Sequence, residues 1–385
     1  MKHVGIICEF NPFHGGHQHL LRAVRGADTV VCLMSGNFTQ RGEAALLPPT
    51  ARAAMAVEAA ADLVLELPFP FASASARYFA TAGVRALGAL GIDTLAFGSE
   101  SADLAALQKL ADAAPDGAYR DKMANGAQNM GDAAAYFAAL GAEISSNDIL
   151  GVEYLRAIKK EAPHLASFVL HREGAQYRET VLENGGYPSA TALRLALAQG
   201  IDITPQLPRV VQEVFSAARA MYGVAKTAAL GAPMLALLRA YGVKKELFEG
   251  IAECSGGLWQ RLVKAAQVAS DYESLCQAAA TKRYTDGRIR RALLYMLSGV
   301  RQSDLDAHPV YLRLLAANAR GREFLNETAR RRIIPVVTKQ ADIAGLGGSA
   351  ARQRELAQVS DGLYALCCEG NLSPHALQTA KPYLI

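Results

Sequence analysis

Over about the first 200 residues, short apolar runs alternate with helix-patterned segments, and this constrains the fold more than any other feature of the chain. Val4-Gly5-Ile6-Ile7-Cys8 reads as a buried strand and 17–25 as a helix. Thr29-Val30-Val31-Cys32-Leu33-Met34 is a second strand, 51–60 an alanine-rich helix, and Leu63-Val64-Leu65-Glu66-Leu67 a third strand. A helix over 74–87 and a strand over 94–97 follow. Asn147 or Asp148 is placed to cap a helix reaching about Lys160, 167–170 reads as a fifth strand, and Ser189 opens another helix. Runs this apolar leave no polar face for water, so the strands must be covered on both sides. The expectation is an α/β, Rossmann-like parallel sheet with helices on each face.

The texture changes after Pro205-Gln206-Leu207-Pro208. Residues 210–298 carry an almost unbroken helical pattern, 332–337 reads as a last strand, and 350–367 as a closing helix. A chain of 385 residues exceeds what one core usually supports. Two domains are therefore expected, 1–205 and a mainly α-helical 206–385. With 51% apolar and 20% charged residues the chain can bury a core and is not a disordered polymer. No run of eighteen apolar residues is present and Val4–Cys8 is too short for a secretory signal, so no membrane span is expected. Six cysteines without a Cys-x-x-Cys pair fit reduced thiols and a cytoplasmic location. The net charge of +4 is mild, but from 282 to 332 twelve Lys or Arg stand against five Asp or Glu. The excess is local.

Chemistry is expected first in the loop after strand one, because ligands of open parallel sheets sit at the carboxyl ends of the strands. That loop reads Asn11-Pro12-Phe13-His14-Gly15-Gly16-His17 and runs into a helix. Gly15 and Gly16 let backbone approach a bulky anion, and the helix start offers free N–H groups and a positive dipole end. His14 and His17, three apart, share one helical face and can donate to one phosphate. The same residues would also suit an exposed turn or half of a metal site. A strand, Asn-Pro, paired glycines and a helix in that order favour phosphate chemistry.

That string resembles the His-x-Gly-His signature of the nucleotidyltransferase superfamily. The superfamily's second signature, Ser-Ser-Thr-x-x-Arg, has a counterpart about 170 residues on in Ser189-Ala190-Thr191-Ala192-Leu193-Arg194, with Ala190 at the usual serine position. Physically it is a helix N-terminus able to hold β- and γ-phosphates, with Arg194 as counter-charge. By itself it would pass for an ordinary helix cap and a solvated arginine. Four further segments narrow the resemblance. They are Ser35-Gly36-Asn37-Phe38-Thr39-Gln40-Arg41-Gly42-Glu43, Asp62 to Phe69, Phe97-Gly98-Ser99-Glu100, and Ser146 to Tyr154. Together with Lys282-Arg283-Tyr284-Thr285, Arg288 to Arg291 and Val336-Val337-Thr338-Lys339, they are similar to the tRNA(Met) cytidine acetate ligases over essentially the whole chain. One departure is Pro48-Pro49-Thr50, where that family favours Asp-Lys-Trp.

The resemblance implies an enzyme that activates acetate with ATP as acetyl-AMP. It then acetylates N4 of the wobble cytidine of elongator tRNA(Met), giving N4-acetylcytidine. No obligate protein partner is implied. His14 and His17 would stabilise the α-phosphate, with Arg194 as a third catalytic group. ATP would be held by Ile7, Asn11, Gly15, Gly16, Gly98, Asn147, Arg172, Ser189 and Thr191 besides the two histidines. For Gly98, Asn147 and Arg172 the residues alone would equally read as a turn glycine, a helix cap and a surface arginine. Mg2+ is expected with ATP, although no carboxylate cluster announces a protein metal site.

The segment 35–43 follows strand two and faces the same edge, so Gln40 or Arg41 is expected to place acetate or cytidine. The basic stretch Lys282, Arg283, Arg288, Arg290 and Arg291, with Tyr284 to stack a base, is the expected tRNA surface, and Arg330-Arg331-Arg332 its extension. Gly345-Leu346-Gly347-Gly348-Ser349 lacks dinucleotide-loop spacing and reads as a turn. Two alternatives share this core. One is an adenylyl- or cytidylyltransferase acting on a small phosphate ester, which would need no helical extension. The other is an inactive RNA-binding relative, against which the intact histidine pair speaks.

Overall fold

Each apolar run of the first half becomes a strand, and period-two alternation sorts its side chains between two cores. The computed structural model describes residues 1–113, 144–172 and 187–385. In chain order the elements are β1 (His3–Cys8), α1 (Gly15–Ala23), β2 (Thr29–Ser35), α2 (Pro49–Glu58), β3 (Leu63–Leu67) and α3 (Ala76–Leu90). After them come β4 (Thr94–Ser99), α4 (Leu104–Asp112), α5 (Ser146–Glu161), β5 (Ala166–His171), α6 (Ala190–Ala198) and α7 (Arg209–Tyr222). Val4, Ile6 and Cys8 face one side, where α1, α2, α6 and α7 cover them through Leu21, Met55, Leu193 and Phe215. Ile7, Val31, Leu33 and Leu65 face the other, against Phe79 and Leu87 of α3 and Val152 and Leu155 of α5. Truncating one such leucine to alanine would cost about 2–5 kcal/mol.

The strand order is β5-β4-β1-β2-β3, all parallel. The chain leaves β1 toward β2 and β3, then returns to the other side of β1 for β4. The crevice between β1 and β4 is thus the topological switch point. Gly5 and Gly83 permit the close packing beneath it. A Cβ on Gly5 would lie 2.8 Å from Leu87 Cδ1, and one on Gly83 2.5 Å from Ile7 Cδ1.

The second half is helical where expected. It contains α8 (Gly231–Tyr241), α9 (Leu258–Ala266), α10 (Tyr272–Ala279), α11 (Asp286–Ser298), α12 (Ala319–Thr328) and α13 (Gly348–Cys367). The sheet, however, crosses the expected boundary at residue 205. β6 (Leu312–Ala317) pairs antiparallel with β3, and β7 (Val336–Val337) and β8 (Tyr383–Leu384) lie along the outer edge of β6. The reason is the open edge of β3, whose backbone groups need partners that only the distant segment supplies. α7 also belongs to the first core, through Val211 and Phe215. The strand expected over 332–337 shrinks to two residues.

α8 to α11, with α13, form a third core that seats on the loops leaving β2 and β3. Phe38 packs 6.1 Å from Tyr364 and Phe69 6.3 Å from Tyr295, centroid to centroid. Tyr364 donates to the Ala45 carbonyl and Tyr295 to that of Ser73, each at 2.8 Å. These loops lie at the carboxyl edge of the sheet, so the helical region roofs the switch-point crevice. Among the described residues no helix is long and apolar enough to cross a membrane. All six cysteines are free thiols.

Candidate active site

The histidine pair is built into the cap of α1. His14 is the N-cap, and its Nδ1 accepts from the Gly16 N–H at 3.0 Å. Its own N–H donates to Nδ1 of His17 at 3.2 Å. Both Nδ1 atoms are therefore acceptors, which assigns the ring proton of each imidazole to Nε2. The rings lie 3.8 Å apart at 33°. Burial pushes His14 down to about 3, helped by the charges of Arg172 and Arg194. His17 falls well below its ordinary value through burial, His14 and Arg172. Two neutral imidazoles thus present Nε2–H donors side by side at the positive end of a helix that their own Nδ1 atoms cap. Phe10 packs beneath them, its centroid 5.0 Å from Phe13 and 4.9 Å from His17, and adopts a left-handed φ of 49°. A bulky residue held there marks a loop fixed by its surroundings.

Glycines 15 and 16 serve contacts within the protein as well as an anion. A Cβ on Gly15 would stand 2.0 Å from the Tyr187 ring, and one on Gly16 3.0 Å from His14 Cε1. α6 brings its N-terminus to the same loop. Ser189 is buried as its N-cap, Oγ accepting from the Ala192 N–H at 3.1 Å, so its side chain serves the helix itself. Arg194 donates to the Asn11 carbonyl at 2.8 Å and lies 3.4 Å from Thr191 Oγ1. The Asn11 side chain is likewise occupied, accepting from the Leu46 N–H at 2.7 Å. Asn11 and Ser189 thus shape the site with their side chains turned to the protein.

On the β4–β5 side sequence reading missed two carboxylates. Asp148 does not cap α5; Ser145 does, its Oγ accepting from the Asp148 N–H at 3.1 Å. Asp148 instead receives the Ser99 hydroxyl and the N–H groups of Glu100 and Ser101. Glu100 accepts from Ser145 Oγ and from Asn147 Nδ2, each at 2.5 Å, and lies 4.0 Å from Arg172 Nε. Gly98 makes room for Arg172 rather than directly for a ligand, since a Cβ there would meet Arg172 Cγ at 2.9 Å.

The loop after β2 hangs on Arg52, which the sequence hides inside an alanine-rich helix. Fully buried, its guanidinium donates to the carbonyls of Leu47 (3.0 Å), Glu9 (2.5 Å), Ser35 (3.0 Å) and Gly36, tying the loops after β1 and β2 together. Gln40 donates its N–H to Glu9 at 2.7 Å and its amide to the Ala74 carbonyl at 2.9 Å. Burial raises Glu9 above the usual carboxylate range. Gln40 and Arg41 both line the cleft.

The basic stretch divides in two. Lys282 and Arg283 are exposed. Arg291 is buried, its Nε 2.9 Å from Glu253, which also lies 3.4 Å from Arg288. Arg290 pairs with Asp286 at 2.7 Å and Glu273 at 2.9 Å. Arg290 and Arg291 are thus spent on holding α11, and Tyr284 is buried with its hydroxyl on the Gly256 carbonyl, unable to stack a base. Arg330 to Arg332 do not extend the track. Arg331 lies beside His3 and Gly91, at the amino-terminal edge of the sheet. Gly347 and its neighbours form the exposed turn expected before α13.

These walls enclose one cleft of about 1610 Å³, lined by Ile7, His14, His17, Gln40, Gly98, Glu100, Asn147, Arg172, Thr191 and Arg194. The α11 side contributes Thr285, Gly287 and Arg288. Small-molecule sites usually occupy about 300–1,000 Å³, so this cleft has space for a nucleotide and a second reactant. Among the described residues no group of three His, Cys, Asp or Glu could hold a metal.

The model of the HIGH Nucleotidyl Transferase family matches residues 1–379. A tRNA(Met) cytidine acetate ligase of Syntrophotalea carbinolica is 37% identical over 366 residues, 89% of this chain and 86% of that one. Another, from Acetivibrio thermocellus, is 33% identical over 95% of both chains. Two crystal structures of Thermotoga maritima TmcAL, each 27% identical, align over the full length of both chains. The apo form has a TM-score of 0.91, and the form bound with alpha-thio ATP 0.87.

Proposed function

Since the chain belongs to the HIGH nucleotidyltransferase family, and within it to the tRNA(Met) cytidine acetate ligases, we propose that it condenses acetate with ATP and acetylates the wobble cytidine of elongator tRNA(Met). The observation that carries this reading is the paired neutral imidazoles of His14 and His17 at the switch point, with both Nδ1 atoms committed and, among the described residues, both Nε2–H groups free to donate. An acetate oxygen attacks the α-phosphorus, the bond to the β-phosphate breaks, and pyrophosphate leaves. The two N–H groups stabilise the charge that builds on the α-phosphate oxygens. Neither imidazole needs to act as a base, because acetate is already ionised at neutral pH. Arg194 and the N-terminus of α6, on the far side of the loop, suit the β- and γ-phosphates.

In the second step N4 of cytidine attacks the acetyl carbonyl, AMP departs and N4 loses a proton. This amine is conjugated into the ring and acetate is a poor acyl donor. The mixed anhydride removes the second difficulty, and a cleft wide enough for both reactants supplies proximity. Residues of 1–205 carry the activating groups and α11 completes the cleft around them, while the exposed Lys282 and Arg283 suit the RNA backbone. Mg2+, where it accompanies the triphosphate, would supply charge neutralisation there. Glu43 is drawn to Arg194 and Arg290, and Glu100 to Ser145 and Asn147, so the ion would rest on phosphates and water rather than on a protein cage. A cytoplasmic location follows from the substrate.

The test is to incubate the protein with ATP, labelled acetate and tRNA(Met), then digest the RNA and analyse its nucleosides by mass. N4-acetylcytidine that depends on ATP and acetate, and not on acetyl-CoA, is expected. Pyrophosphate release without acetate, leaving the nucleotide on a small phosphate ester, would overturn the proposal.

A further inference from the structure

We propose that Glu100 fixes the side-chain amide of Asn147 so that it reads the amino edge of adenine, which makes Glu100 the positioning residue behind selection of ATP over 6-oxopurine nucleotides. The inference rests on the cleft being the ATP site and deepens that reading.

The placement follows from the sheet. An α-phosphate on His14 and His17 sits at the end of β1. Glu100 and Asn147 lie beyond β4, the next strand, and Arg172 beyond β5, all lining the same cleft. Two strand spacings, roughly 10 Å, separate the β5 end from β1. A ribose and a base can lie across that distance with the phosphate held at the histidines. Arg172 spans part of the gap, since its charge acts on both imidazoles while its Nε stands 4.0 Å from Glu100.

The orientation of the Asn147 amide is then decided by Glu100. A carboxylate only accepts hydrogen bonds, so the face of Asn147 turned to it must be the NH2 group, and Nδ2 lies 2.5 Å from Glu100 Oε1. The other carboxylate oxygen is held by Ser145 at 2.5 Å, so the carboxylate cannot turn away. Among the described residues no hydrogen bond reaches Asn147 Oδ1. The cleft is therefore offered an acceptor, Oδ1, beside the second N–H of Nδ2. This pair matches adenine, whose N6 donates and whose adjacent ring nitrogen accepts. Guanine and hypoxanthine carry an acceptor, O6, at that position, which would face Oδ1 unpaired. A site built to bond one such group rejects the analogue strongly.

Substituting Glu100 tests the inference through the amide it holds. In Glu100→Gln the new NH2 group can face Asn147 Oδ1 and turn the amide over, presenting Nδ2–H to O6. Loss of the charge beside Arg172 would weaken every nucleotide alike, so the informative quantity is a ratio. Acetate-dependent pyrophosphate exchange is measured with ATP, GTP and inosine triphosphate. The last has O6 without the guanine amine, which separates the reading of O6 from a clash at position 2. The wild-type protein is expected to prefer ATP over inosine triphosphate at least 100-fold in kcat/KM. Glu100→Gln should narrow that preference at least tenfold, and Asn147→Ala should do the same without relying on a flipped amide. A ratio left unchanged by Asn147→Ala, or by a folded Glu100→Gln, overturns the proposal. Wild-type protein that exchanges pyrophosphate with none of the three nucleotides would instead sink the underlying reading of the cleft.

Discussion

Replacing His14 by asparagine separates its two tasks. The imidazole caps α1 through Nδ1, which accepts from Gly16 N–H at 3.0 Å, and presents Nε2–H to the cleft. Asparagine is among the best N-cap residues and can keep the first bond, but its shorter side chain cannot reproduce the second. Losing one donor to charge developing in a transition state costs about 3–4 kcal/mol, or a 10²- to 10³-fold drop in kcat. Losing the cap, as in His14→Ala, costs about 1 kcal/mol of stability. His14→Asn should therefore unfold within a degree or two of wild type while acetate-dependent ATP–pyrophosphate exchange falls at least 100-fold. His14→Ala should lose the same rate and melt lower as well. Exchange by a folded His14→Asn within tenfold of wild type would refute the assignment of Nε2–H to the transferring phosphate.

Other consequences follow from burial and charge. With His14 held near 3 and His17 well below its usual value, kcat at saturating ATP and acetate should stay flat from pH 8 to 6; a sigmoidal fall in kcat centred near 6.5 would contradict that. Because the unfolded imidazoles take up protons below 6.5 while the native ones refuse them, stability should decline as pH drops from 6.5 toward 3, read by denaturant titration. Asp361 behaves in the opposite sense. Burial raises it to about 7, and its Oδ1 accepts from the Asn37 amide at 2.7 Å. The native carboxyl keeps a proton that the unfolded one has released, so its contribution to stability fades as pH climbs from about 4 through 7. Asp361→Asn should stabilise the protein at pH 8, by at most about 4 kcal/mol, and change little at pH 4, as denaturant titration at the two pH values would report. Lys282→Ala with Arg283→Ala should weaken tRNA binding and flatten its salt dependence without shifting the melting curve. Arg291→Ala should instead destabilise the fold, by about 1–3 kcal/mol, because a buried side chain and its bond to Glu253 are lost while Arg288 still faces that carboxylate at 3.4 Å.

The sheet and the histidine loop were legible in the sequence because local signals decide them. Val30 to Met34 can be nothing but a covered strand, and the step from Cys8 through Gly15-Gly16 into α1 carries its own turn chemistry. What was not legible depends on partners far along the chain. Leu312-Arg313-Leu314-Leu315-Ala316-Ala317 is as good a helix as a strand by propensity, and only the vacant edge of β3, some 250 residues earlier, makes it β6. Arg52 reads as a solvated arginine on an alanine-rich helix until the loops after β1 and β2 close over it. Arg290 and Arg291 read as a nucleic-acid track for the same reason. Asp286, four residues before Arg290, is a spacing the sequence offers, but the partners Glu273 and Glu253 lie 17 and 38 residues away, where no spacing rule points. The Asn147 and Arg172 positions carried over from the resemblance reach the cleft, but Glu100, which holds both, had no signal beyond its place in the motif.

The arrangement makes the loop from Gly36 to Glu43 the shared part of two walls. Arg52 anchors its start to the ends of β1 and β2. Its tip packs on α11 so closely that a Cβ at Gly42, which also needs a left-handed φ of 76°, would sit 2.8 Å from the backbone nitrogen of Arg291. Between these points the Glu43 carboxylate lies 3.8 Å from Arg194 on the phosphate side and 3.8 Å from Arg290 on the roof. The loop that faces both reactants therefore cannot be ordered by the nucleotide half alone; α11 must be seated for Gln40 and Arg41 to hold their places. An acetyl-adenylate is open to hydrolysis, and a roof that helps build the floor keeps water out while the acceptor amine approaches. On this reasoning the helical region is part of the activating site and not only the proposed platform for RNA, which explains why its strands and aromatic anchors are woven into the sheet rather than joined to it by a linker.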